Sequence, residues 1–126
     1  MAKNILLVDD DINLCKVFKR IIEGAGYTLH VENTAKGAIA NIKKTNYALA
    51  LLDIQLPDML GTEMLKAMHK MKPKLIKIMV TGDNTLANAV DSLNRGASAY
   101  LMKPTTAEQL LNTIAQALKK EDLSAK

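Results

Sequence analysis

Carboxylates that could bind a metal ion or accept a transferred group follow two apolar runs of this chain. Asp9, Asp10 and Asp11 come directly after the first run, and Asp53 comes directly after a later one. Carboxylates that are packed together repel one another, and a hard divalent cation such as Mg²⁺, which prefers a few carboxylate oxygens, relieves that repulsion. A carboxylate can also accept a phosphoryl group covalently. The pattern therefore indicates a Mg²⁺ site where Asp53 could act as the nucleophile.

A hydroxyl group and a cation follow two further apolar runs. Thr81, with Asp83 after it, ends one run, and Lys103 follows the next. A lysine can neutralise phosphoryl charge, and a threonine hydroxyl can hydrogen-bond to a phosphoryl oxygen. Taken singly, Thr81 is typical of a strand end and Lys103 of a loop, while Asp11 is interpreted as a helix cap. The hypothesis of a phosphoryl-transfer site rests on their joint placement.

Apolar periodicity along the chain switches regularly between strand and helix. Strands are predicted at residues 4–8, 28–32, 48–52, 75–80 and 99–102, and helices around residues 12–25, 35–42, 64–71, 86–93 and 110–118. Nearly continuous apolar strands between amphipathic helices are typical of a doubly wound α/β domain, here with a five-stranded parallel sheet and five helices. Because parallel strands end at one edge of a sheet, where such folds place their ligands, the residues named above are predicted to converge there.

Local signals predict how two of the helices begin. Asn33 or Thr34 could cap the second helix, and both alternatives stay open. Thr106 and Gln109 have the spacing of a capping box for the last helix.

The charge of the chain suggests an electrically polar molecule. Its net charge is +4, but fifteen of its seventeen basic residues are lysine and aromatic residues make up only 3%. A nucleic-acid binder would be expected to offer arginine forks and aromatic stacking platforms, so direct nucleic-acid binding is not predicted. A local concentration of lysines is interpreted as a solvated face: Lys66, Lys70, Lys72, Lys74 and Lys77. All of these except Lys66 are predicted to lie near the edge of the sheet opposite the acidic residues.

Four ordered motifs resemble the response-regulator receiver family over essentially the whole chain. They are ILLVDDD (5–11), LALLDIQLPDMLG (49–61), IMVTGD (78–83) and GASAYLMKP (96–104). The resemblance implies a flavodoxin-like sheet with strand order 2-1-3-4-5. It also implies that Asp53 accepts a phosphoryl group from a phosphohistidine of a sensor histidine kinase or phosphotransfer protein. Asp9, Asp10 and Asp53, with the backbone carbonyl of Gln55, would hold Mg²⁺.

The same resemblance implies a conformational switch. Thr81 would be the switch hydroxyl, Tyr100 the switch aromatic, and Lys103 the partner of the phosphoryl group, with a cis peptide bond between Lys103 and Pro104. Phosphorylation would shift the face formed by the fourth predicted helix, the fifth strand and the last helix, and so control a downstream effector or output domain. The chain would be a regulatory phosphoacceptor that catalyses only its own phosphorylation and dephosphorylation. Leu60 departs from the aspartate that is common before the loop glycine.

Three rival functions are weighed against this one. An aspartyl-phosphate phosphohydrolase would use two aspartates two residues apart after the first strand, which Asp9 and Asp11 could mimic, but Asp53 would then have no role. A nucleotide-binding module would carry G-x-G-x-x-G where this chain has aspartates. A nucleic-acid binder would show strongly salt-dependent binding.

The organisation of the chain is also predicted. Residues 1–120 are expected to form the receiver domain and residues 121–126 a polar tail or linker stub, in a free-standing protein or a fragment of a larger regulator or hybrid kinase. The single cysteine, Cys15, fits a reducing compartment, so the chain is expected to be cytoplasmic, with no membrane segment. A monomer or a phosphorylation-dependent dimer is expected.

Overall fold

A computed structural model describes residues 3–82, 91 and 94–124 of the chain. Within these residues the elements are β1 (Asn4–Val8), α1 (Ile12–Gly24), β2 (Thr28–Glu32), α2 (Ala35–Lys44), β3 (Leu49–Leu52), α3 (Gly61–Met71), β4 (Ile76–Thr81), β5 (Ala99–Met102) and the C-terminal helix (Ala107–Ser124). The fourth predicted helix, carrying Leu86, Ala89, Val90 and Leu93, lies outside the described residues, as does Asp83. The division into a domain of residues 1–120 and a tail stays a prediction.

The five strands form one parallel sheet in the order β2-β1-β3-β4-β5, which confirms the predicted fold class and strand order. The register aligns the carboxyl ends of the strands. Val8 at the end of β1 pairs with Leu52 at the end of β3. Thr81 at the end of β4 pairs with Met102 at the end of β5. The residues that follow these strands are therefore delivered to one edge.

Helices cover both faces of the sheet. On one face, α1 and the C-terminal helix bury side chains such as Phe18 and Ile114 against the strands. On the other face, α2 and α3 do the same with Ala38, Met64 and Met68. The central strands are apolar on both faces because both are covered, and each large apolar side chain so buried stabilises the fold by about 1.5–3 kcal/mol. None of the helices in the described residues has the length and apolar character needed to cross a membrane.

The helix caps follow the local signals. The Asp11 side chain accepts a hydrogen bond from the amide three residues later at 3.0 Å, as predicted. Thr34, not Asn33, caps α2, and its hydroxyl oxygen accepts a hydrogen bond from the Gly37 amide at 3.1 Å. Thr106 and Gln109 form the predicted capping box, in which the Thr106 hydroxyl accepts from the Gln109 amide at 3.1 Å and the Gln109 side chain accepts from the Thr106 amide at 3.3 Å.

Lys77 corrects the interpretation of the lysine-rich segment as a solvated face. It lies inside β4 and only 1% of it is exposed. Its Nζ donates to the carbonyl oxygen of Leu75 at 2.6 Å, its single hydrogen-bond acceptor among the described residues. Burial lowers the pKa of this ammonium, because the charged form loses its hydration. The two covered faces of the sheet, not the local charge pattern, decide the environment of a strand residue.

Replacing Lys77 with methionine should raise the free energy of unfolding by about 1–2 kcal/mol at neutral pH, because a desolvated ammonium is replaced by an apolar side chain of similar length. The pKa of Lys77 is lower in the folded chain than in the unfolded one, so the unfolded chain binds more protons between the two values and the parent becomes more stable as pH rises there. The advantage of the variant should therefore shrink as the pH approaches 10.5. Urea denaturation of the parent and the variant at several pH values measures this difference in the free energy of unfolding.

Lys74→Met is the matched control, because Lys74 lies three residues before Lys77 in the loop between α3 and β4 and is exposed. It should change the free energy of unfolding by no more than about 0.5 kcal/mol. A Lys77→Met chain that is less stable than the parent at neutral pH would contradict the assignment of Lys77 as a buried, poorly compensated cation.

Candidate functional site

Three carboxylates meet at the carboxyl edge of the sheet. One oxygen atom each from Asp9, Asp10 and Asp53 lies within 4.8 Å of the other two. Asp9 and Asp53 follow the paired ends of β1 and β3, and the Asp53 amide donates to the Val8 carbonyl at 3.1 Å, which holds the two residues side by side. Asp9 and Asp53 are buried, whereas Asp10 is exposed. These three predicted site residues are thus brought together, and they form a cluster that could hold a metal ion.

Lys103 reaches the same cluster from the end of β5. Its Nζ lies 2.6 Å from Asp9 Oδ2 and 3.1 Å from Asp53 Oδ2, so one ammonium bridges two carboxylates. The backbone amide of Lys103 donates to the Thr81 carbonyl at 2.8 Å, which extends the strand pairing by one residue. The peptide bond between Lys103 and Pro104 is cis, as predicted.

Burial and pairing act against each other on the charged groups of this site. Burial raises the pKa of Asp9, and the hydrogen bonds from Lys103 and from the Asp11 amide offset only part of that effect. For Lys103, burial alone would lower the pKa, but the hydrogen bond to Asp9 and the attraction of Asp53 and Asp9 outweigh it, so the net pKa is raised. Lys103 therefore remains protonated. One ammonium beside three carboxylates leaves negative charge for a further cation to balance.

The remaining predicted site residues lie on β4, on β5 and in the loop after β3. Thr81 is fully buried at the end of β4. Tyr100 is partly buried in β5, where it packs against the core on the α2–α3 face and pairs in register with Met79. Gln55 is exposed, and its amide donates to Asp53 Oδ1 at 3.2 Å. The roles of these residues in catalysis, metal binding and switching stay predictions.

Asp58 has a structural role that the sequence reasoning missed. Its two carboxylate oxygens accept hydrogen bonds from the amides of Ala35 and Lys36, at 2.9 Å each. These backbone hydrogen bonds lower the pKa of Asp58. An acidic residue is favoured at a helix N-terminus, but Asp58 is far from α2 in sequence, so no local signal could reveal the pairing. The loop that follows Asp53 is thereby attached to the start of α2.

Gly61 is a second residue whose role only the structure reveals. A Cβ atom at this position would overlap the carbonyl oxygen of Asp53 and the Cα atom of Ile54. The Gly61 amide donates to the Ile54 carbonyl at 2.6 Å. The glycine therefore lets the first turn of α3 lie directly against the backbone next to Asp53. A glycine after a loop was visible in the sequence, but not what it approaches.

Solved structures resemble this arrangement closely. A CheY-like response regulator receiver domain protein from Methanospirillum hungatei JF-1 is 44% identical, with a TM-score of 0.95 over 98% of this chain and 99% of that chain. NtrX from Brucella abortus is 29% identical, with a TM-score of 0.93 over 99% of this chain but 28% of its own.

Curated relatives and a family model agree with the structural likeness. The transcriptional regulatory protein ZraR of Klebsiella oxytoca is 32% identical over 121 residues, and the alginate biosynthesis transcriptional regulatory protein AlgB of Pseudomonas putida is 32% identical over 122 residues. The alignments cover 96% and 97% of this chain but only 27% of either relative, so the chain spans about a quarter of their length. The model of the response regulator receiver domain matches residues 5–115. This chain belongs to the response regulator receiver domain family.

Proposed function

We propose that this chain is the phosphoacceptor switch of a two-component system. Asp53 accepts a phosphoryl group from a phosphohistidine of a sensor histidine kinase or phosphotransfer protein. The observation that carries the proposal is the convergence of Asp9, Asp10 and Asp53 within 4.8 Å at the same edge as the Lys103 ammonium. A domain of this family is a regulatory signalling domain, and its chemistry is limited to its own phosphorylation and dephosphorylation.

The donor set of the cluster fits Mg²⁺. Hard carboxylate oxygens are the ligands that this ion prefers, and the exposed Asp10 leaves one side of the cluster open to water, which Mg²⁺ retains. Asp9, Asp10, Asp53 and the backbone carbonyl of Gln55 would hold it. When bound, Mg²⁺ supplies positive charge to the oxygens of the transferring phosphoryl group.

The residues of the chain divide the remaining work. Asp53 is the nucleophile, and its two carboxylate oxygens have different partners, Lys103 Nζ at Oδ2 and the Gln55 amide at Oδ1. These contacts orient the carboxylate for in-line attack on phosphorus. Lys103 then stays beside the phosphoryl oxygens and offsets their charge. As the bond between an Asp53 oxygen and phosphorus forms, the bond from phosphorus to the phosphohistidine nitrogen breaks and the imidazole leaves.

The signal would leave the site through Thr81 and Tyr100. The Thr81 hydroxyl turns towards the new phosphoryl group, and Tyr100 fills the space that it vacates. This shifts an equilibrium between two arrangements of the face made by the fourth predicted helix, β5 and the C-terminal helix. That face then binds a downstream effector or an output domain.

The rival phosphohydrolase finds less support in the geometry. That reading needs Asp9 and Asp11 as nucleophile and acid/base. Asp11 instead caps α1, and its amide donates to Asp9 Oδ1 at 2.9 Å. Asp9 is paired with Lys103. Asp53 would be left buried beside them without a role.

A Mg²⁺ titration followed by amide NMR shifts, with and without beryllium fluoride as a phosphoryl mimic, tests the proposal. Mg²⁺ alone should shift the signals around Asp9, Asp10 and Asp53, and the mimic should extend the changes to Thr81 and Tyr100. Asp10→Asn should weaken Mg²⁺ binding, while Asp11→Asn, which can still cap α1, should not. Unchanged Thr81 and Tyr100 signals at a saturating concentration of the mimic would contradict the proposed switch mechanism.

A further inference from the structure

A cavity of about 410 Å³ lies at the end of the molecule opposite the acidic edge. It opens between the last turns of α2 and α3 and is lined by the segments 45–47 and 71–75, which lead into β3 and β4. Because the strands are parallel, these segments lie at their amino ends, whereas Asp53 follows a carboxyl end. The cavity is therefore separate from the phosphoacceptor site.

The interior of the cavity is mainly apolar. Ile42, Met71 and Leu75 are apolar lining residues, here called the floor of the cavity, and Ile42 and Leu75 are largely buried within the core. Tyr47 lies along one wall, with its hydroxyl donating to Asn41 at 2.8 Å. The volume of the cavity lies in the range of about 300–1,000 Å³ that is typical of small-molecule sites, which are apolar with a few polar groups at defined places.

The charged groups among the described lining residues of the cavity are cationic. Lys72 and Lys74 line it, and no aspartate or glutamate is among its described lining residues. Lys72 Nζ donates to Asn46 Oδ1 at 3.1 Å, and in the described part of the chain neither lysine has a carboxylate within salt-bridge distance. The lining therefore includes two lysines that no described carboxylate neutralises, and their positive charge favours an anion over a neutral or cationic group.

A third cation lies next to the cavity wall. Lys77 Nζ is 2.6 Å from the carbonyl oxygen of Leu75, which lines the cavity. This ammonium is buried, and among the described residues it has a carbonyl oxygen but no carboxylate beside it. Charges interact more strongly where water is excluded, so a negative charge in the cavity would be attracted by Lys77 as well.

We propose that this cavity is a binding site for a small amphiphilic carboxylate, which places its apolar body on Ile42, Met71 and Leu75 and its carboxylate between Lys72 and Lys74. The apolar floor provides affinity through burial, and the two ammonium groups select an anion over a neutral or cationic head group. The size of the cavity suits a medium-chain or aromatic acid rather than a folded partner.

Octanoate, kept below its critical micelle concentration, is the probe, and amide NMR shifts of the full chain are the readout. Saturable shifts are expected in residues 42–47 and 71–75, with those around Asp53 unchanged. Octanol and octylammonium carry the same apolar chain with a neutral and a cationic head, and should bind more weakly. Lys72→Gln combined with Lys74→Gln should raise the dissociation constant of octanoate about tenfold.

Lys66→Gln is the matched control, because Lys66 is exposed on α3, which precedes Lys72 and Lys74, and does not line the cavity. It should leave octanoate binding unchanged. The proposal is overturned if octanoate shifts signals elsewhere only, or if octylammonium binds as well as octanoate. It is equally overturned if the double glutamine variant binds octanoate as tightly as the parent.

Discussion

Asp53→Asn should reduce phosphoryl incorporation from acetyl phosphate and Mg²⁺ to the level of a protein-free control. The asparagine amide has nearly the shape of the carboxylate. Its oxygen can still accept the hydrogen bond that the Gln55 amide donates to Asp53 Oδ1 at 3.2 Å in the parent. It lacks the anionic oxygen that attacks phosphorus in the proposed mechanism. Intact-mass spectrometry at neutral pH, soon after mixing, measures the fraction of chains that carry one phosphoryl group.

The loss should be chemical and not a failure to fold. Removing one of three carboxylates that lie within 4.8 Å of one another relieves repulsion, so Asp53→Asn should be at least as stable as the parent without metal. Asp11→Asn is the control for chemistry, since Asp11 caps α1, and it should still take up the phosphoryl group. Stable incorporation by Asp53→Asn would refute the assignment of the acceptor.

Lys103→Met should lower the free energy of unfolding by about 3 kcal/mol at pH 7 without divalent cations. Its ammonium is the cation that the structure places beside Asp9 and Asp53, at 2.6 and 3.1 Å, and the side chains of these aspartates are only 2% and 7% exposed. Methionine keeps most of the length of the side chain but leaves two buried carboxylates without a counter-charge. Urea denaturation of both chains measures the difference.

Three comparisons separate this charge effect from a loss of packing. Mg²⁺ should restore part of the lost stability, because it binds the folded cluster in place of the ammonium. The double variant that combines Lys103→Met with Asp53→Asn should lose less free energy of unfolding than the sum of the two single-variant effects. Lys66→Met, at an exposed position, should change stability by no more than about 0.5 kcal/mol.

The stability of Lys103→Met should also depend on pH in a defined direction. Burial already raises the pKa of Asp9 in the folded parent, and without Lys103 that pKa should rise further. A folded-state pKa above the unfolded value means that the folded chain binds more protons, so stability is lost as the pH rises through this window. The deficit of the variant should therefore shrink on acidification from neutral pH. A Lys103→Met chain as stable as the parent at pH 7 would contradict the pairing.

The β4 strand illustrates where prediction from sequence stopped. Its apolar character predicted a strand ending near Thr81, and the structure has it at Ile76–Thr81. The charge of Lys77 suggested a solvated face, yet the side chain is buried because helices and neighbouring strands cover that part of the sheet. Periodicity reports which residues an element can bury, whereas burial of a single charged residue depends on what packs against it.

Contacts between segments that are distant in the chain were also decided by the tertiary structure alone. Asp58 accepts two hydrogen bonds from amides at the start of α2, and Gly61 lies close to the Asp53 backbone; neither contact is indicated by a local sequence signal. The choice of Thr34 over Asn33 as the cap of α2 belongs here too. Asn33 instead donates to the Asp9 carbonyl at 2.8 Å.

For the acidic site, the sequence by itself determined which residues reach the edge. Asp9, Asp53 and Lys103 each follow a strand, and parallel strands end on one side, so their convergence follows from the order of elements. Only the tertiary structure decided how they pair. The register between β1 and β3 sets the two buried aspartates side by side, and Lys103 lies closer to Asp9 than to Asp53. Strand order determines which charged residues lie at the same edge of the sheet. Register and packing determine the distances between them, and electrostatic energies depend on those distances.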